Sequence, residues 1–84
     1  MSYADEVRAY CAKYIVEPAR TRGEKEVVIR AGDIHEAMAY KNRLPLVCSA
    51  LGTAIFEETY RVRRKSVEGP LNGSNTLFRF TVIP

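Results

Sequence analysis

The chain has 84 residues, enough for one domain (residues 1–84) around a single small core and too few for a fold plus a deep catalytic cavity. Its composition, 46% hydrophobic and 27% charged, excludes a disordered polyelectrolyte. The net charge of +3 is uneven, with −1 on residues 1–40 and +4 on residues 41–84, so the second half has the polarity of a phosphate-facing surface.

No apolar run approaches the roughly 18 residues of a membrane span. The opening MSYADEVRAY carries early acids and no apolar stretch of the secretory kind. The expectation is therefore a cytoplasmic protein without membrane contact. Residues 3–16 form the first expected helix, because Tyr3, Val7, Tyr10, Cys11, Tyr14 and Ile15 recur at helical spacing. Asp5 and Glu6 suit its first turn, and Pro18 is expected to end it. Residues 19–26 are a polar loop turning at Gly23, and Val27, Val28 and Ile29 mark a brief strand over 26–30.

A second helix is expected over 31–40 on the stripe Ile34, Ala37 and Met38. Lys41, Asn42 and Arg43 form a polar corner, where Asn42 can take the left-handed conformation that ends a helix without glycine. Pro45 opens a third helix over 45–56, with Val47, Cys48, Leu51 and Ile55 inward and Leu46, Ser49, Gly52 and Thr53 outward. Gly52 costs about 1 kcal/mol inside a helix, so either the helix frays there or something approaches the backbone closely. Residues 60–67 read as a strand with Tyr60 and Val62 on one face and Arg61 and Arg63 on the other. The pattern slips at Arg64 and Lys65, as at a bulge. Residues 68–75, EGPLNGSN, form a flexible tip, and residues 76–83 return with Phe78, Phe80 and Val82 on one face.

No catalytic set can be assembled. His35-Glu36 lacks the second histidine of a zinc-protease motif, since Ala39 stands there. Cys11 and Cys48 sit on apolar stripes and read as buried free thiols, with a disulfide as the alternative, and no cofactor or metal is expected. The functional signals are three. The helix pair offers Lys41, Asn42, Arg43, Ser49 and Thr53 to a DNA groove, against the plainer reading of a packing corner. The hairpin offers Arg61, Arg63, Arg64 and Lys65, with Asn72 at its tip, against the plainer reading of a charged edge that deters aggregation. Tyr3, Val7, Tyr10 and Tyr14 make an apolar band that serves either the core or a homodimer.

This order of helix, strand, helix, helix and two-stranded hairpin resembles the winged helix-turn-helix superfamily. The segment GDIHEAMAYKNRLPLVCSAL is also similar to stretches of small uncharacterised prokaryotic, especially archaeal, proteins with that expected fold. The resemblance implies an α+β fold of three helices and a small antiparallel sheet, with duplex DNA met by the Pro45 helix and the Arg61 to Lys65 wing. The expectation is a DNA-binding protein that is not an enzyme, either a transcriptional regulator or a general duplex binder. Its outward helix face is small and neutral, which favours backbone contact over base readout. The alternative is a protein-interaction module on the same fold.

Overall fold

A computed structural model describes residues 2–84. Helix α1 (Tyr3–Cys11) starts at a capping box: Asp5 N–H donates to Ser2 Oγ at 3.2 Å, and Ser2 N–H donates back to the Asp5 carboxylate at 3.4 Å. Pro18 does not end this helix. A π-helical turn (Ala12–Val16) leads directly into α2 (Glu17–Thr21), giving one continuous run. Two physical reasons account for the departure. The widened turn just before Pro18 gives its ring room against the preceding turn, so the run continues at the loss of one backbone bond. The buried residues Val7, Cys11, Val16 and Ala19 are spaced by four, five and three. A regular helix would swing Val16 about 140° away from Cys11 over five residues, and the wider turn keeps both on the core side.

Strand β1 (Glu26–Arg30) alternates as expected, with Val27 and Ile29 buried. Helix α3 (Ala31–Ala37) is shorter than the 31–40 reading. Ala39, at φ 56°, takes the left-handed position, and the Ala39 and Tyr40 amides donate to Glu36 O and His35 O, each at 3.0 Å. Asn42 is also left-handed at φ 55°, but in the corner beyond the helix end.

Helix α4 (Leu44–Leu51) carries Pro45 in its first turn and buries Val47, Cys48, Ala50 and Leu51. It stops at Gly52, and α5 (Ala54–Tyr60) restarts after Thr53. The break turns Ile55 outward, at 53% exposure, and places Phe56 in the core instead. The expected single helix over 45–56 is thus two. Arg61 is not on the hairpin. It is the left-handed C-cap of α5, at φ 54°.

Strands β2 (Val62–Glu68) and β3 (Leu77–Val82) form an antiparallel hairpin, and β1 pairs with β3, giving the order β1-β3-β2. The ladder slips between Arg64 and Ser66, leaving Lys65 as the bulge. One sheet face, with Val27, Ile29, Val62, Phe78, Phe80 and Val82, closes on the helices, and Phe56 meets Phe80 edge to face at 5.1 Å. The radius of gyration, 11.7 Å, matches the roughly 12 Å of one packed body of this length. The architecture is α+β. Among the described residues no helix is long and apolar enough to cross a membrane.

Candidate functional site

The hairpin loop, residues 69–75, is braced rather than loose. Thr76 Oγ1 donates to Pro70 O and accepts from Gly73 N–H at 3.0 Å, and Gly32 N–H donates to Ser74 O at 2.9 Å. The Arg30 guanidinium bonds Asn75 Oδ1 at 2.8 Å and Asp33 at 2.7 Å. These bonds fold the tip back over the start of α3. Between this loop, β2 and α4 lies an open groove of about 460 Å³. Cys48, Val67, Leu71 and Phe78 supply its apolar lining, and Ser49, Arg64, Asn72 and Thr76 its polar lining. Leu71 is 86% exposed and Val67 41% exposed.

Arg64 stands on the inner side of β2, opposite Phe80 in the ladder. Its Nη1 donates to Gly52 O at 2.7 Å and closes the end of α4. Of the two outcomes expected at Gly52, the helix ending there is the one found, since Arg64 would stand at an ordinary 3.6 Å from a Cβ. Arg64 N–H donates to Glu57 Oε2 at 3.1 Å. Because a guanidinium has five N–H donors, one bond to Gly52 leaves donors for a ligand.

The other cations of the hairpin are dispersed. Arg63 pairs with Thr81 and so lies on the opposite sheet face, exposed and with no ion-pair partner among the described residues. Lys65, released by the bulge, reaches Glu26 at 3.3 Å. Glu26 also receives Arg79 at 3.0 Å, and Arg79 bridges on to Glu68 at 3.2 Å. These bonds hold the Glu26 carboxyl below its ordinary range, Arg79 first and Lys65 second. Glu68 is lowered by Ser66 and then by Arg79. Acids invisible to a linear reading thus interleave the outer cations.

At the corner, Lys41 and Asn42 are exposed. Arg43 N–H donates to His35 Nε2 at 3.1 Å, and its guanidinium lies over the Tyr3 ring at 4.6 Å. That ring meets Tyr40 edge to face at 5.9 Å. His35 is therefore a tether of the corner. Thr53 is committed to the interior, its Oγ1 donating to Ala50 O at 3.2 Å and accepting from Arg8 at 3.3 Å. Of the expected DNA contacts, Ser49, Arg64 and Asn72 share the groove; Lys41, Asn42 and Arg43 cluster before α4; Arg61, Arg63 and Lys65 lie elsewhere.

In the tyrosine band, Val7 is wholly buried, whereas Tyr3 and Tyr14 are 51% and 57% exposed. Tyr10 is half-buried against Tyr14, with ring centres 4.7 Å apart. Both cysteines are free and buried, and burial raises both thiols, Cys11 to about 12. Val67 and Leu71 escaped sequence reasoning as site residues. The available signal was an apolar residue inside a turn-rich tip, a place where side chains are usually polar. Comparison with protein-family models, with curated proteins and with solved structures returned no match.

Proposed function

We propose that the protein binds duplex DNA as a winged helix, with α3 and α4 as the helix pair, the β2–β3 hairpin as the wing, and transcriptional regulation as its role. One observation carries the reading: Ser49 of α4, Arg64 of β2 and Asn72 of the loop converge on the same open groove. Lys41 and Asn42, exposed before the opposite end of α4, add a second polar patch. The outward face of α4 offers no long polar side chain beyond the corner, so contact is chiefly to phosphate and sequence preference is modest.

Fluorescence anisotropy with a labelled duplex tests this. Affinity is expected to fall about 3.5-fold per neutralised phosphate between about 50 and about 200 mM salt. Arg64→Ala, checked for folding by its melting transition, is expected to weaken binding about tenfold. Arg63→Ala, on the opposite face, should stay within about twofold. Ser49→Asp, on an exposed helix position in the same groove, is expected to give a comparable loss with Arg64 still present. Absence of duplex affinity at low salt overturns the reading. A second reading, a protein-interaction module, draws on the exposure of Leu71, Tyr3 and Tyr14. A stoichiometric protein partner recovered together with absent DNA affinity would replace the first reading with the second.

A further inference from the structure

We infer that the groove between α4, β2 and the 69–75 loop is a binding site for a small monocarboxylate with an apolar body. Its volume, about 460 Å³, falls within the range of small-molecule sites. Its chemistry is divided: Val67, Leu71 and Phe78 supply apolar surface, and the cation Arg64 stands at the rim with Ser49 and Asn72. No carboxylate lines the groove. The nearest acid partner of Arg64, Glu57, receives its backbone amide and not its guanidinium. An anion there meets a guanidinium with no ion-pair partner among the described residues, and the donors not spent on Gly52 O match the two oxygens of a carboxylate.

The apolar body has an equally defined place. Leu71, at 86% exposure, is the most exposed large apolar side chain among the described residues, and Val67, which lines the same groove, is 41% exposed. The backbone on either side of them is braced, Val67 by its ladder partner Phe78 and the loop by Thr76, Gly32 and Arg30. Apolar surface open to water gains by being covered, and the bracing lowers the backbone ordering cost of covering it. The inference goes beyond DNA binding. Where Arg64 also meets a phosphate, acid and DNA exclude one another.

Octanoate is the probe, titrated into the native protein without DNA and followed by amide chemical shifts. Shifts are expected at Ser49, Arg64, Val67, Leu71 and Asn72, with affinity about tenfold above that of octanol, the uncharged analogue. Arg64→Gln is expected to abolish that difference. Because Arg64 also closes α4, Ser49→Asp, checked for folding by its melting transition, serves as the second variant, its carboxylate competing with the ligand for Arg64. Equal binding of octanoate and octanol, or shifts centred outside the groove, overturns the inference. N-acetyl-leucyl-leucine carries the same carboxylate on a peptide, and tighter binding of it would overturn the free-acid assignment. These readouts contain no DNA, so their failure leaves the duplex measurements standing and the reverse also holds.

Discussion

Arg8 is the side chain on which the helices converge. It is 7% exposed and distributes its donors to Ala50 O at 3.1 Å, Asp5 at 2.8 Å and Thr53 Oγ1 at 3.3 Å. Ala50 O is one of the last carbonyls of α4, a group with no partner inside its own helix. Arg8→Met keeps the stem and removes the donors, so Ala50 O keeps only the Thr53 hydroxyl and Asp5 only the Ser2 amide. Urea unfolding should report a loss of about 1.5 kcal/mol, the lower end for hydrogen bonds made by a charged group. Arg8→Lys should recover only part of it, because an ammonium cannot fork to three acceptors. Nothing local in the sequence marks Arg8. It follows Val7 on a helix whose apolar stripe was legible, but its burial depends on Ala50, 42 positions away. Arg20 is similar, donating to the carbonyls of Tyr60, Arg61 and Ile83.

At the scale of elements, the loop and the start of α3 are fitted to each other at Gly32. A Cβ there would stand 2.7 Å from Ser74 O and 2.8 Å from the Arg30 guanidinium. Gly32→Ala should therefore push the 73–75 segment away from α3, costing about 1–3 kcal/mol. Faster hydrogen exchange of the amide at position 32, which in the native protein holds Ser74 O, would be its signature. Unchanged exchange and stability would show that the loop absorbs the methyl group. The strands were legible because β1 and β3 alternate strictly and the bulge announced itself as a break in that alternation. The α4–α5 break was half legible. Gly52 raised it, but Phe56 replacing Ile55 in the core depended on where the second helix restarted. The bracing of the loop was not legible, since its partners Gly32 and Arg30 lie more than 40 residues earlier.

Across the whole molecule, the charge asymmetry seen along the chain is largely rearranged by folding. The outer sheet face ties Lys65, Arg79, Glu26 and Glu68 into one network, while Arg64 is directed to the other side. Candidate contact residues could be named from residue type, but their sides of the sheet were set by the bulge and by α5. The network also sets the acid response. Glu26 and Glu68 are lowered in the folded state from an ordinary value of 4.5, and Asp5 from 3.8, the last mainly through the Ser2 backbone. Their contribution is therefore complete above those ordinary values and is lost as pH falls through the lower folded ones. Urea midpoints should be level from about pH 7 to about 5 and drop below about 4.5. Glu26→Gln should flatten that drop, and an unaltered slope would remove Glu26 from the account.

The π-helical turn carries a final consequence. It holds one more residue than a regular helix would need to bring Val16 beneath Cys11. Removing a single residue between them would let the run close as a uniform α-helix with the core contact kept and no phase error beyond it. Insertion elsewhere in the same run would instead rotate Arg20 off the carbonyls it fastens. The extra residue makes this stretch the one place in the helix where chain length can change by one without carrying the error into the sheet.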